Sequence, residues 1–293
     1  MRLSGDANGI PPNVIGPMRL LFLDDSRQRS CNRPRVGALV AVGGLIVEDR
    51  AVRDLERAID ALCRNDFGFP VGEPFKWSPA RDHWMRANLI AGQREEFFRQ
   101  VLRKAAEFGA VGQVTISDTS RGLATGRAPN HEMDVLVMSL ERFDRSLSGT
   151  DLGMAIVARP SGGRVDEDTF LSGCVDIVTG GTDYTAFQRI ASNVLTMPSA
   201  NSRILQAADL VVSITTAMIA GHTEFAGNVF PDVKALLRSS SGRIGGVGVK
   251  IHPDYIFANL YHWILGDGTF CRMLANTNLP MPSRPFFNGP DIF

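Results

Sequence analysis

Acidic residues at the end of one apolar segment are the first in this sequence whose type and position indicate chemistry. Asp24 and Asp25 follow the apolar run of residues 18–23. Side chains alternate along a strand, so Asp24 shares a face with Leu20 and Phe22 while Asp25 lies on the other face. The carboxyl end of a buried strand is where α/β proteins build their sites. We therefore interpret Asp24 as a site residue, with an acidic polar turn as the alternative.

A second carboxylate stands on a helix predicted over residues 202–221. The segment is apolar on nearly all sides, which is typical of a buried helix. A thin polar stripe interrupts it at helical spacing, formed by Gln206, Asp209, Ser213 and Thr216. A buried carboxylate must be paired or bind a metal, because desolvating it alone is costly. We interpret Asp209 as sharing a metal ion with Asp24, and a salt bridge to an arginine is the alternative.

The predicted loop over residues 67–80 supplies a third set of polar groups. Glu73 and Lys76 are flanked there by proline and aromatic residues, which indicates a held loop. Carboxylates from distant segments are the usual ligands of Mg²⁺ or Mn²⁺, and a lysine can bind phosphate as a point charge. We predict one or two such ions. A solvated Glu–Lys pair is the alternative. The predicted ligands are Asp24, Glu73 and Asp209, with Asp25 and Asp118 as further ligands, Lys76 and Ser26 as phosphate contacts, and Gln206 as an orienting group.

Three of these segments resemble the signatures of the DUF3800 family, a prokaryotic and phage family of undefined function. They are the sequences LFLDDS at the first strand end, Glu73-x-x-Lys76, and QAADLV in the later helix. The resemblance implies a ribonuclease H-like fold and a metal-dependent nuclease site. The sequence departs from the family at Arg27, where a glycine is usual. It also departs after residues 151–158, where Ala158-Arg159 stands in place of an aspartate.

The elements that must position these residues are those of an α/β protein with a mixed sheet flanked by helices. Strands are predicted at residues 18–23, 36–47, 110–117 and 151–158. Helices are predicted at residues 48–63, 82–108 with a break near Gly92, 131–147, 167–177, 202–221 and 255–264. We predict a flexible leader at residues 1–16, a ribonuclease H-like core at residues 17–222, and a C-terminal extension at residues 223–293 that packs on the core.

Composition and charge limit the partners. Lys and Arg total 31 and Asp and Glu total 31, so the net charge is zero and no global field favours nucleic acid. A local basic patch stands directly after the acidic strand end, as either a phosphate-binding edge or a solvated hairpin tip. Its members are Arg27, Arg29, Arg33 and Arg35. The four cysteines are far apart, with no C-x-x-C pair, and no apolar run is long enough for a bilayer span. We therefore expect a reduced cytoplasmic protein with no membrane partner.

The functional prediction combines these features. Metal-bound carboxylates, a lysine and an adjacent basic edge are typical of phosphoryl transfer. We predict a divalent-metal-dependent nuclease or phosphodiester hydrolase, with DNA and RNA not distinguished. The missing carboxylate at Ala158 and Arg159 leaves two alternatives open. One is a catalytically degenerate nucleic-acid-binding or structural protein, and the other is a hydrolase of a small phosphorylated compound.

Overall fold

A six-stranded mixed sheet organises the chain, in the order β5-β4-β1-β2-β3-β6. The computed structural model describes residues 16–90, 92–121, 130–272 and 275–282. Strands β1 to β3 form an antiparallel meander, β4 and β5 run parallel to β1, and β6 runs parallel to β3. The predicted α/β class and mixed sheet are confirmed. The strands are Met18–Gln28 (β1), Leu39–Glu48 (β2), Val111–Asp118 (β3), Leu152–Ala158 (β4), Leu195–Met197 (β5) and Val249–His252 (β6), with a separate hairpin of Thr269–Arg272 (β7) and Ala275–Asn278 (β8).

Helices cover both faces of this sheet. The predicted break near Gly92 is confirmed, since α2 and α3 are separate helices on its two sides, and Asn130 caps α4 as its sequence position predicts. The predicted helix at residues 167–177 is longer than expected. The α-helices are Asp49–Ala61 (α1), Trp84–Asn88 (α2), Gln93–Glu107 (α3), His131–Asp144 (α4), Arg164–Gly180 (α5), Arg203–Ala220 (α6), Thr223–Leu236 (α7) and Ala258–Leu260 (α8). Short helical turns of other types occupy Leu62–Asp66, Ser199–Asn201 and Tyr261–Leu265.

Two hydrophobic cores separate the two faces of the sheet. Phe22 packs in the larger core with residues of α1, α3, α6 and α7, and we call this side the α6 face. Leu21 and Leu23 pack in the smaller core with α4 and α5, and we call that side the α4 face. Because side chains alternate along β1, Asp24 lies on the α6 face and Asp25 on the α4 face.

Helix α6 is the buried centre of the α6 face. The Ser202 side chain accepts a hydrogen bond from the Leu205 N–H at its start, and Gly221 ends it with a φ of 87°. Within the described residues it is the one helix whose length and apolarity would fit a membrane span, and 89% of it is buried inside the protein. Gly44 on β2 permits its close approach. A Cβ at that position would lie 1.9 Å from the Phe22 carbonyl oxygen and 2.8 Å from the Ala208 Cβ.

The segment after residue 222 supplies four elements that the sequence pattern did not predict, namely α7, β6 and the hairpin of β7 and β8. Helix α7 packs against α3 and α6, and its hydrophobic pattern is interrupted by Pro231. Strand β6 joins the central sheet beside β3. The Tyr261 hydroxyl accepts a hydrogen bond from the Ile251 N–H (2.9 Å) and donates one to Asp254 Oδ1 (2.5 Å), which fastens β6 to the turn that follows it. The helix predicted over residues 255–264 is shorter, beginning at Ala258.

Candidate functional site

The strand predicted to end at residue 23 continues to Gln28, so Asp24 lies within β1 and pairs with Gly43 of β2. Asp24 and Asp209 meet where β1 packs against α6. The Ser213 hydroxyl donates to Asp209 Oδ1 at 2.9 Å, and it also lies 3.4 Å from the Ser26 hydroxyl on β1. Asp24 and Ser26 are two residues apart and therefore share the α6 face. Burial and, next, the negative charge of Asp209 raise the pKa of Asp24 to about 7. The structure thus brings together the two carboxylates that the sequence analysis paired.

Asp209 is held by the loop that crosses above it. Its Oδ2 accepts a hydrogen bond from the Trp77 backbone N–H at 2.8 Å. Burial raises the pKa of Asp209, whereas this bond, the bond from Ser213 and the charge of Lys76 each lower it. The charge of Lys76 also lowers the pKa of Asp24, so its ammonium group acts on both carboxylates. Lys76 is exposed and therefore accessible to a ligand.

Gln206 and Arg203 fix the position of this loop. Gln206 Oε1 accepts hydrogen bonds from the Phe75 N–H (3.1 Å) and from Arg203 Nη1 (2.9 Å), and its Nε2 donates to the Ser199 carbonyl (3.0 Å). Arg203 Nη1 also donates to the Glu73 carbonyl oxygen at 2.7 Å. Gln206 was predicted to orient site residues, and the structure places it beneath the loop that carries Lys76. Its amide therefore acts on the loop backbone.

Two acidic residues of α1 hold Arg203 and the start of α6 in place, and neither was predicted from the sequence. Asp60 Oδ1 accepts bonds from Arg203 Nε (3.2 Å) and Nη2 (3.0 Å). Glu56 accepts from the backbone N–H groups of Arg203 (2.7 Å) and Ile204 (3.2 Å), which satisfies the first turn of α6. The available signal was the spacing of Glu56 and Asp60, which places both on one side of α1. A buried arginine at the start of an apolar helix also requires acidic partners.

Glu73 lies in the same loop but its carboxylate faces a different neighbour. Glu73 Oε1 is 3.8 Å from His83 Nδ1, and the side chain is 28% exposed. Nothing in the described contacts brings it to Asp24 or Asp209. The three-carboxylate ligand set predicted from the sequence is therefore reduced to two carboxylates at this position.

Asp118 is a structural residue and not part of the site. It is fully buried and accepts hydrogen bonds from the Gly37 N–H, from Ser120 and from Arg121 Nε. Strand register places it level with Gln28, four residues beyond Asp24 and two strands away. That spacing corresponds to about 16 Å between Cα atoms. The prediction of Asp118 as a ligand beside Asp24 is corrected by this geometry.

Asp25 and Arg27 lie on the α4 face, opposite the acid pair, although the negative charge of Asp25 raises the pKa of both Asp24 and Asp209. Asp25 is exposed on the α4 face, and its Oδ2 lies 3.7 Å from Arg27 Nε. Arg27 also forms an ion pair of 2.8 Å with Glu132 on α4. The structure therefore does not bring Asp25 to the ligand position predicted for it.

The predicted basic edge is smaller than its sequence indicates. Arg33 is only 3% exposed, and it donates from Nε to the Ile219 carbonyl (2.9 Å) and from Nη2 to the Met218 carbonyl (3.0 Å). It therefore caps the C-terminus of α6, where a cation interacts favourably with the helix dipole. The prediction of Arg33 as a phosphate contact is corrected for this reason. Arg29 and Arg35 remain exposed on the loop between β1 and β2.

The acid pair has the donor chemistry for a hard cation with few protein ligands. Among the described residues, no group of three His, Cys, Asp or Glu side chains is placed to hold a metal ion. Mg²⁺ is commonly bound through one or two carboxylates, with water and substrate phosphates in its other positions. Asp24 and Asp209 supply two carboxylates, and the hydroxyls of Ser26 and Ser213 add oxygen donors beside them. The residues present therefore fit an ion that is completed by a phosphate ligand.

Strand β4 ends beside Asp24 without an acidic side chain. Val157 pairs with Leu23, so Ala158 lies next to Asp24 in the neighbouring strand. Arg159 turns away and forms an ion pair with Glu167, with Nε and Oε1 3.0 Å apart. A third carboxylate would fit the position of Ala158, and the chain has a methyl group there.

Fold and site together define an α/β protein with a mixed sheet and a carboxylate pair between the central strand β1 and the buried helix α6. No family model, curated protein or solved structure matches the chain. Its function is therefore inferred from the geometry of the acid pair, the lysine and their surroundings.

Proposed function

We propose that the chain is a divalent-metal-dependent phosphodiester hydrolase of the ribonuclease H-like type, as the resemblance to DUF3800 implies. The observation that carries the proposal is the pairing of Asp24 and Asp209 across the contact between β1 and α6. Two partly desolvated carboxylates side by side repel each other unless a proton or a cation lies between them. The mixed sheet, with β1 near its centre and Asp24 facing a buried helix, supports the same assignment.

Each residue of the site has a defined task in this proposal. Asp24 and Asp209 hold Mg²⁺ or Mn²⁺, and the hydrogen bonds to Asp209 from Trp77 and Ser213 fix the direction of its carboxylate. The bound ion supplies Lewis acidity and lowers the pKa of a coordinated water. Lys76 contributes a positive charge for a phosphate oxygen. Gln206 and its partners hold the loop, so Lys76 keeps its position relative to the acid pair.

A second function is favoured by one specific observation. The position beside Asp24 on β4 is Ala158, so the acid pair lacks a third carboxylate from the neighbouring strand. A protein that retains the fold and binds nucleic acid without cutting it would show this feature. The two functions differ in whether cleavage accompanies binding.

The test compares wild type with Asp209→Asn on labelled single-stranded DNA, duplex DNA, RNA and a DNA–RNA hybrid in the presence of Mn²⁺. Asn is nearly isosteric with Asp and lacks its charge, so we expect cleavage to be slower by about a hundredfold or more. Binding should survive, because phosphate contacts set most of the affinity. Asp54→Asn is the control, since this carboxylate is 66% exposed on α1 and lies outside the site, and it should retain the wild-type rate.

The possible results separate the candidates. Cleavage that is equal in wild type and Asp209→Asn would contradict the assignment of the site. Binding without cleavage by wild type would support the non-catalytic nucleic-acid-binding protein. A wild-type protein that neither binds nor cuts nucleic acid would exclude nucleic acid as the partner. Small phosphorylated compounds would then be the substrates to assay.

A further inference from the structure

A cavity of about 480 Å³ lies beside the loop that carries Lys76. It is formed by that loop together with α2, α3 and α7, and it combines aromatic and cationic side chains. The members that matter here are Trp77, Arg86, Arg94, Phe98 and Phe225. Its volume falls in the range of small-molecule and cofactor sites. Neither the proposed metal ligands nor the loop supports described above account for it.

The aromatic wall of this cavity is both anchored and accessible. The Trp77 and Phe98 rings lie 5.2 Å apart between centroids, and Phe98 is buried in the core. Phe225 on α7 is 64% exposed, although burial of an aromatic ring is strongly favourable. An exposed aromatic ring at a cavity mouth provides a face on which a flat ligand can stack.

Two arginines supply the polar character. Arg86 Nε donates to the Pro79 carbonyl oxygen at 2.8 Å, which fixes its guanidinium at the cavity. Arg94 Nε is buried and has no hydrogen-bond partner in the described part of the chain. A buried donor left without a partner costs free energy, so the Arg94 side chain gains if it turns its guanidinium toward an acceptor of a bound ligand. Glu95, the acid at this cavity, already accepts from Asn228 Nδ2 at 3.1 Å.

The cavity and the acid pair share one residue. The backbone N–H of Trp77 donates to Asp209 Oδ2 at 2.8 Å, while its side chain lines the cavity. Lys76 is the preceding residue and acts electrostatically on both carboxylates. Trp77 therefore connects the cavity, which its side chain lines, with Asp209, which its backbone N–H contacts.

We propose that this cavity receives an unpaired base of a single-stranded nucleic acid, with the neighbouring phosphate at Lys76 and the acid pair. The role of that phosphate rests on the proposed function, whereas the recognition of the base does not. Base stacking on aromatic side chains is the common mode of single-strand binding, and guanidinium groups add to it. A base in a duplex has both faces covered by its neighbours, so the cavity selects against duplex DNA. A purely apolar ligand would leave the Arg94 donor without an acceptor.

The test measures binding of an end-labelled oligothymidylate by fluorescence anisotropy in EDTA, so that metal and cleavage play no part. Phe225→Ala should weaken binding by about 5-fold to 150-fold, which is the measured range for loss of one base–aromatic stack. An abasic oligonucleotide of the same length should bind wild type and Phe225→Ala equally, because it has phosphates and no bases. Tyr184→Ala is the matched control, since Tyr184 is 77% exposed and lies outside the cavity.

Arg94→Gln provides a second variant that does not alter the aromatic wall. It should weaken binding of oligothymidylate and lower its salt dependence, since one cationic contact is lost. Equal binding of oligothymidylate by wild type, Phe225→Ala and Arg94→Gln would overturn the proposal, as would a wild type that does not bind it. Base-dependent binding without metal-dependent cleavage would support this inference and contradict the proposed function. Metal-dependent cleavage with no effect of Phe225→Ala on binding would support the proposed function and contradict this inference.

Discussion

Replacing Asp24 by asparagine should change how the stability of the protein depends on pH. Its folded-state pKa is raised from 3.8 to about 7, mainly by burial and by the charge of Asp209. A raised pKa means that the folded state binds the proton more tightly than the unfolded state. The free energy of unfolding therefore falls as pH rises from about 4 to about 7, while Asp24 ionises in the folded protein. Asp24→Asn has no such ionisation and should lack this part of the pH dependence.

The magnitude follows from the size of the shift. About three pKa units correspond to at most about 4 kcal/mol. Asp24 is half-buried, and solvent screening reduces the effect, so we expect roughly 2 kcal/mol. For a chain of 293 residues this equals about 3 °C in melting temperature. Relative to wild type, the variant should therefore gain stability between about pH 4 and about pH 8.

The assay is urea unfolding of wild type and variant in EDTA at several pH values across this range. The quantity of interest is the difference between their free energies of unfolding, since other titrating groups contribute equally to both. Asp54→Asn is the control for removing an exposed carboxylate that lies outside the site. If the difference in free energy of unfolding between wild type and Asp24→Asn stays constant with pH within about 0.5 kcal/mol, the inference that Asp24 belongs to a desolvated acid pair is refuted.

The same samples test the metal. Mg²⁺ at about a hundredfold excess over its Kd should stabilise wild type by about 2.7 kcal/mol at pH 8. The effect should decrease as pH falls below about 7, because a protonated Asp24 cannot bind the ion. Equal stabilisation of wild type and Asp24→Asn would place the ion elsewhere.

Two further predictions concern the strand next to Asp24 and the cap of α6. Ala158→Asp adds a third carboxylate beside Asp24 and should tighten Mn²⁺ binding by about tenfold in calorimetry; unchanged affinity would show that this position does not face the ion. Arg33→Ala removes two charged hydrogen bonds to carbonyl oxygens of α6 and should lower the free energy of unfolding by about 2–3 kcal/mol, measured by urea unfolding, with no change in nucleic-acid affinity. Arg29→Ala is its exposed control, and weaker nucleic-acid binding by Arg33→Ala at unchanged stability would contradict the capping role.

Local patterns were sufficient to predict the parts of the fold in which one segment determines its own structure. Helix α6 is apolar on nearly all sides and carries Ser202 and Gly221 at its ends, so its bounds could be read directly from the sequence. The face of Asp24 followed from alternation along β1. Helix α7 contains Pro231, and its stability comes from packing against α3 and α6, which no local pattern records.

The candidate site shows the same division. The acid pair could be predicted because each carboxylate stands in an apolar segment where its burial requires a partner. The roles of Arg33 and Asp118 could not, because they depend on contacts with distant segments, namely the last carbonyls of α6 for Arg33 and the Gly37 N–H for Asp118. A basic loop looks the same in sequence whether its arginine faces solvent or caps a helix. The cavity at Trp77 could not be predicted from the sequence either, since α2, α3 and α7 form it only after they pack together.

The pairing of β6 with β3 has a consequence for how the protein is made. The antiparallel meander of β1, β2 and β3 is complete by residue 118, but the outer edge of β3 stays open until Val249–His252 has been synthesised. An open edge of apolar residues is a template for pairing with other chains, and contacts between distant residues form slowly. A nascent or truncated chain that ends before β6 therefore exposes the unpaired edge of β3, which can pair with strands of other chains. We expect fragments that end before Val249 to aggregate more readily than fragments that extend past His252.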